Sequence, residues 1–522
     1  MSELEIRIKN FRENLYYLFP QRKDAILNLL DAISADADKY NSVVQLSKSE
    51  FFKRKYSSIT DAINALKEAD FAKIEKLIYK TCSTEDKKLK VFYTDCTSCK
   101  RLYSPKLEDR TVVYSPNKVP GNKPITVGHQ YSSVVLSPDN AKEIDKNWVI
   151  PLSMQRVTSK EKGNEVGMQH LIDSIKNCDL NNELVLTVGD SLYGTEECRS
   201  KIVDYENIVH CFRIRNNRRL FKIPEINAET SQKAGRKKIY GDKISLKNEK
   251  SLPSCDESFE VEKTTKSGNK RIVEIKLFKN LLLEGSGKFN SSEHPINLIK
   301  VIEKDTNGKQ VHPRPLWLGV IGKQKDNIKT EIIYFRYDNR FDIEHFFKFE
   351  KQKQMIDSYQ SPDVSHEESW WNLVPLAYVQ LYLANQLGEI IPEDWMRYLP
   401  EYKKLLNLSD AGDLPIKTAS QIQKCFANIL TEIDTPAKKS ISRGKPIGRK
   451  DSEVQPKRND YEIIFKNEKN NVDKKENNLS VDENSSAESE NDTIDLLLSS
   501  VIKRLKKLNL SAKEFAEKLN SS

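Results

Sequence analysis

The stretch ELVLTVGDS, residues 183–191, reads as a buried strand that ends on a glycine and an acid. Leu184 to Val188 are apolar or β-branched without alternation, the pattern of a strand covered on both faces. Before it stands a Glu/Lys-rich helix candidate at 159–177; after it come a helix near 195–205 and a second strand, NIVHCFRIR (207–215). Further upstream, VFYTDC (91–96), TVVYS (111–115) and ITVGHQYSSVVLS (125–137) are β-branched and aromatic runs bounded by Pro, Gly and Asn. Strands alternating with helices predict an α/β fold with a mixed sheet.

The flanks differ in texture. Residues 1–88 carry apolar positions at helical spacing, such as Ile26, Leu27, Leu30 and Ile33, and predict a helical N-terminal domain ahead of a first core segment at 89–215. Residues 216–310 are polar and short-stranded, with SFEVEKTT and KRIVEIKLFK as paired strands, and read as a β-rich insertion. The second core segment, 311–390, resumes with WLGVIG (317–322) and EIIYFRY (331–337) as strands. A long helix follows from Asp338 to Met355, and another opens at Ser365 with Glu367 and Glu368 in its first turn. Helices are expected at 391–435, a basic then acidic disordered linker at 436–493, and an amphipathic helix at 494–522 with Leu497, Val501, Leu505 and Leu508 on one stripe.

Composition narrows the function. The most apolar stretch, Leu373 to Leu387, is broken by Gln380, Asn385 and Gln386 and is too short for a bilayer span, so no membrane partner is expected. The opening MSELEIRIKN lacks an apolar run, which predicts a chain kept inside the cell. Eight cysteines in 522 residues show no framework spacing, and the Cys96/Cys99 pair has no second pair to complete a zinc site. With 85 bases against 76 acids the net charge is +9, and bases cluster at Arg213, Arg215, Arg218, Arg219, at Lys233, Arg236, Lys237, Lys238, and in AKKSISRGKPIGRK (437–450). A polyanion is the natural partner of such stripes, although a solvated basic surface has the same composition.

Two acids end strands in this reading, Asp95 after VFYT and Asp190 after LVLTVG. Carboxylates at the carboxyl ends of sheet strands can meet in one crevice, where divalent cations such as Mg²⁺ prefer oxygen ligands. Either acid alone is equally a turn or helix-capping residue. In YFRYDNRFDIEHFFKFEKQKQM, Tyr337, Arg340, Glu344 and Lys351 follow one another at steps of 3, 4 and 7, which on a helix places them on one face. The carboxylate can complete a metal site, and the cations can hold phosphate oxygens, with Lys348 nearby. An exposed helix with an Arg340–Glu344 ion pair is the alternative. His345, His129, Tyr131, Trp148 and Trp317 are expected to be packed.

The spacing Tyr-x2-Arg-x3-Glu-x6-Lys, together with the order Asp95, Asp190, Glu344, resembles the signature of bacterial insertion-sequence transposases of the DDE class. The separation of Asp190 from Glu344, an offset of 154 in residue number, matches that group's long β insertion. The resemblance extends over about 90–390, including GDSLYG (189–194) and the WWNLVPLAYVQLYLA helix (370–384). It implies a ribonuclease H-like catalytic core in a transposase that cuts the ends of its own element and joins the 3′-hydroxyls to target DNA. It also implies two Mg²⁺ ions, replaceable by Mn²⁺, held by Asp95, Asp190 and Glu344, double-stranded DNA as partner, a homodimer on DNA, and a bacterial cytoplasmic, nucleoid-associated site of action. A metal-dependent structure-specific nuclease of the same fold, or a domesticated DNA-binding descendant, are the alternatives. No GxxxxGK[ST] phosphate loop occurs.

Overall fold

The structure, a computed structural model, describes residues 2–83, 89–115, 124–138, 148–224, 239–265, 269–285, 289–388, 417–441 and 457–465. Helix α1 (Glu3–Leu18) starts at a capping box in which Ser2 and Glu5 exchange side-chain and backbone hydrogen bonds. It is followed by α2 (Lys23–Asp36), α3 (Ser57–Ala65) and α4 (Phe71–Cys82), as the periodicity of 1–88 predicts. Helix α2 is buried along its length from Ala25 to Asp36. Arg12 of α1 accounts for some of this packing. Its guanidinium is 1% exposed, pairs with Asp31 and reaches the Gln380 side chain, whose amide nitrogen bonds the Ser34 hydroxyl at 2.9 Å. A buried cation is tolerable only when so many donors are matched.

The sheet begins with β1 (Leu89–Lys100), β2 (Thr111–Tyr114), β3 (Ile125–Leu136) and β4 (Ile150–Val157), and helix α5 (Gly163–Asn177) then crosses over to β5 (Leu184–Gly189). Helix α6 (Glu196–Ile202) leads to β6 (Ile208–Arg213). Strand β5 runs parallel to both β1 and β6, while β1 pairs antiparallel with β3, and β3 with β4. The crossover helices are what allow parallel neighbours, since a tight turn cannot join them.

From β6 the sheet does not close. Strands β7 (Arg219–Phe221), β8 (Lys243–Ser245), β9 (Glu257–Thr264), β10 (Lys270–Leu283), β11 (Ile296–Lys304) and β12 (Leu316–Ile321) extend it in the order β2-β3-β1-β5-β6-β12-β11-β10-β7-β8, with β4 on β3 and β9 on β10. The predicted mixed α/β class is therefore what the structure has. The strands expected in 216–310 are present, and β12 joins them directly to β6.

Two local expectations fail. EIIYFRY was expected as a strand, but Thr330–Asn339 is helix α7. Its β-branched and aromatic content mimics a strand, whereas burial falls on Thr330, Ile333 and Tyr334, one face of a helix. The single helix expected from Asp338 to Met355 is also divided: α8 spans Asp342–Lys353, and Arg340 and Phe341 form the joint. There the backbone stays right-handed but tightens, with the Arg340, Ile343 and Glu344 amides each bonding the carbonyl three residues earlier.

Helix α9 (Val364–Leu383) opens where predicted, capped by the Asp363 carboxylate on the Ser365 and His366 amides. Helix α10 (Ala419–Ile433) lies within the helices expected at 391–435; residues 389–416 lie outside the described residues. Residues 457–464 fall in the segment expected to be a disordered linker, yet they are docked. The Tyr461 amide bonds the Pro105 carbonyl, the Ile464 amide bonds the Arg110 carbonyl, and Ile464 bridges Thr111 of β2. A free strand edge supplies the unpaired backbone groups that capture this segment. The helix expected at 494–522 lies outside the described residues.

Candidate active site

Asp95 sits on β1, and Asp190 is the first residue after β5. The parallel register between these strands ends at Tyr93 opposite Val188, so two further steps set Asp95 opposite Asp190. Adjacent strands lie about 4.8 Å apart, and residues two apart share a face, so both carboxylates leave the sheet on the same side. An Asx-type turn fixes the second acid, whose Oδ1 accepts the Leu192 amide at 2.7 Å. Gly189 just before it allows the buried Tyr193 ring to close on the strand; a Cβ there would lie 2.6 Å from the Tyr193 Cβ.

Glu344, the third acid of the sequence reading, sits in the first turn of α8, just past the α7–α8 joint. Arg340 extends one nitrogen to Asp95 Oδ2 at 3.2 Å and another to Glu344 Oε1 at 3.4 Å. One guanidinium thus bridges the first and third acids. Burial pushes the Asp95 carboxyl up to about 6; Arg340 and the Cys96 amide oppose this, while Asp190 and Glu344 add repulsion. The Arg340 guanidinium also lies over the Tyr337 ring at 6.0 Å. Burial raises the Tyr337 phenol, with Arg340 and Arg213 pulling the other way. Glu344, Lys348 and His345 are exposed.

Lys351 is placed differently from the expectation of a phosphate ligand. Its Nζ donates to the Ser98 carbonyl of β1 at 2.8 Å, and burial lowers its pKa. The ammonium ties α8 to the strand that carries Asp95.

Arg213, Arg215, Arg218 and Arg219 are exposed at the end of β6 and beyond. Arg215 donates to the Ser191 hydroxyl at 3.1 Å, and Arg219 pairs with Glu284 at 3.1 Å. Arg215, Arg218 and Arg219 line a cleft of about 270 Å³ with Ser191, Leu192 and Thr195, immediately beyond Asp190. Lys237 and Lys238, with Lys233 and Arg236, lie outside the described residues.

His129, Tyr131, Trp148 and Trp317 are buried as expected, but His345 is not packed; it meets the half-exposed Phe341 edge-on at 5.4 Å. Cys96 and Cys99, three apart on a strand, face opposite sides, and all eight cysteines are free thiols. Sequence reasoning missed the role of Glu367. Its carboxylate is fully buried and accepts from Arg101 Nε at 2.6 Å and from Tyr131 at 2.9 Å, and it lies 2.7 Å from His129 Nδ1. Burial alone would raise it, but His129 and Arg101 hold it below the usual carboxylate range. As an acid in a first helical turn, it read as an ordinary dipole partner.

Among the described residues, no three Asp, Glu, His or Cys side chains stand close enough to hold a metal ion. Arg340 stands between Asp95 and Glu344 and supplies the positive charge there. The donors are nevertheless of the type that hard divalent cations take: the Asp95 carboxyl is raised chiefly by burial, with Asp190 and Glu344 near enough to add repulsion. Among the described residues, no helix is long and apolar enough to cross a membrane.

The mixed α/β sheet thus presents acids from adjacent parallel strands, with a helical acid beside the first of them. Residues 14–273 match the family model described as DDE superfamily endonuclease, 260 of the 522 residues. That span takes in Asp95 and Asp190 and ends before Glu344. The match supports a DDE-type transposase family, and with it DNA cleavage of the transposase or nuclease kind, DNA as substrate, and the divalent metals such as Mg²⁺ that this superfamily generally uses. No curated protein matches the chain.

Proposed function

We propose that this protein is an insertion-sequence transposase that cleaves at the ends of its element and joins the freed 3′-hydroxyls to target DNA. Asp95, Asp190 and Glu344 are its acids. The observation that carries the reading is the juxtaposition of Asp95 with Asp190 by register and with Glu344 through Arg340. The strand order β4-β3-β1-β5-β6, antiparallel first and parallel after, supports a ribonuclease H-like core. The complete Tyr337, Arg340, Glu344, Lys351 spacing supports the insertion-sequence assignment.

Asp95, Asp190 and Glu344 would hold the Mg²⁺ ions, or Mn²⁺ in their place, which when bound polarise the phosphate and lower the pKa of an attacking water or hydroxyl. Arg340 neutralises charge between two of the acids and, with Tyr337 beside it, offers a guanidinium to a phosphate oxygen. Lys348 and the Arg213–Arg219 cluster, with Lys237 and Lys238, contact the DNA backbone. Lys351 holds α8 against β1. A homodimer on DNA, acting in a bacterial cytoplasm at the nucleoid, completes this reading.

The test is a plasmid carrying the gene with its flanking DNA, incubated with the protein and Mg²⁺ beside a target plasmid. Joined products are expected. Cleavage without joining would favour the second reading, a nuclease of the same fold, which the description of the matching family as endonucleases also supports. Absence of both activities would leave a DNA-binding descendant.

A further inference from the structure

Six residues beyond Glu344, helix α8 carries a second glutamate whose surroundings are unlike those of the three acids. Glu350 is fully buried, and neither of its carboxylate oxygens meets a hydrogen-bond donor. One turn further, at the C-terminal cap of the helix, Gln354 is equally buried, with both its amide oxygen and its amide nitrogen unpartnered. Gln423 of α10, 1% exposed, joins the same end: its Nε2 donates to the Lys353 carbonyl at 3.3 Å, and its Oε1 has no partner.

Four side-chain oxygens thus lie buried without a hydrogen-bond partner on the last turn of α8 and on the α10 residue that bonds its Lys353 carbonyl. Burial pushes the Glu350 carboxyl well up, so it ionises there only beside a counter-charge, and unmatched amide oxygens add to the cost. Oxygen-only donors are what hard cations take, and the helix C-terminus adds its own partial negative charge. The charge count selects the ion. One carboxylate among neutral amides balances a single positive charge, whereas a divalent ion would leave one unit uncompensated in a dry site.

We propose that Glu350, Gln354 and Gln423 form a site for a monovalent cation, Na⁺ or K⁺, which fastens α10 to the end of α8. The site is separate from the carboxylates of Asp95, Asp190 and Glu344, and it steadies the helix that carries Glu344 from its other end.

The experiment measures the thermal unfolding midpoint of the full chain with a chelator present, so that divalent ions do not contribute. NaCl, KCl and N-methylglucamine chloride are compared at equal ionic strength. A midpoint about 2–4 °C higher in NaCl or KCl than in the organic chloride is expected. Glu350→Gln, which needs no counter-charge, should lose that difference, and Gln423→Met, which removes one oxygen from another helix, should reduce it. Equal midpoints for the unaltered protein in all three salts would overturn the proposal, as would an undiminished difference in a folded Glu350→Gln or Gln423→Met protein.

Discussion

The Asp95 carboxyl has a pH signature of its own. Its pKa in the fold, about 6, lies above the ordinary value of 3.8, so the folded protein binds this proton more tightly than the unfolded chain does. Stability from this source is present below about pH 4 and is lost as the pH rises through about 6. In metal-free solution the unfolding midpoint of the unaltered protein should thus fall relative to Asp95→Asn as the pH is raised across that window. Parallel curves for the two proteins would show that the carboxyl is not raised. For activity the sign is opposite, because divalent ions need the ionised form: at limiting Mg²⁺, cleavage should decline as the pH falls through about 6. Asp95→Asn, Asp190→Asn and Glu344→Gln should each lower cleavage by roughly 10³-fold, on the order of 4 kcal/mol, with DNA binding retained in gel-shift assays.

Among the elements, α8 carries Glu344, whose carboxylate reaches Asp95 through Arg340. Lys351 is the tie, since its ammonium is occupied by the Ser98 carbonyl three residues past Asp95. Lys351→Met should raise the metal concentration needed for half-maximal cleavage by on the order of tenfold, the loss of a charged hydrogen bond, and leave the salt dependence of DNA binding unaltered. A phosphate ligand would behave in the reverse manner, with a salt slope lower by about 0.9 and an unchanged metal requirement. The loop after β5 is equally constrained. Gly189→Ala sets a methyl group against Tyr193 and should cost about 1–3 kcal/mol of stability while displacing Asp190. Replacing Arg213, Arg215, Arg218 and Arg219 with Gln should lower the salt slope by about 0.9 for each phosphate no longer neutralised, and an unchanged slope would make that arginine cleft a solvated surface.

At the scale of the whole molecule, a single sheet links β1 and β5 to β12, β11 and β10, and residues 457–464 lie along its β2 end. Ending the chain at residue 456 removes the Tyr461 and Ile464 backbone bonds to the 105–110 loop. Amide hydrogen exchange around Arg110 to Val112 should then become faster, and the midpoint should drop by a few degrees, since each such bond is worth about 1 kcal/mol. Unaltered exchange would show that the docked segment contributes nothing to the edge.

How much of this was legible depends on the range of the interactions involved. Strands β1, β3, β5, β6 and β12 announced themselves because strand and helix periodicities are local properties of a few consecutive side chains. The order of Asp95, Asp190 and Glu344, and the spacing around Arg340, were likewise written along the chain. EIIYFRY was misread because its composition suits a strand while its burial is set by what packs on Ile333 and Tyr334, which the segment itself does not encode. The break at Arg340 and Phe341, the capture of Lys351 by Ser98, the burial of Glu367 against Arg101 and His129, and the unpartnered oxygens of Glu350 were decided only in three dimensions. Each depends on partners tens to hundreds of residues away, or on the exclusion of water by surrounding helices. The sequence by itself determined which chemical groups are present and in what order; the tertiary structure decided which of them are charged, paired or left without a partner, because desolvation and long-range contact exist only once the chain has folded.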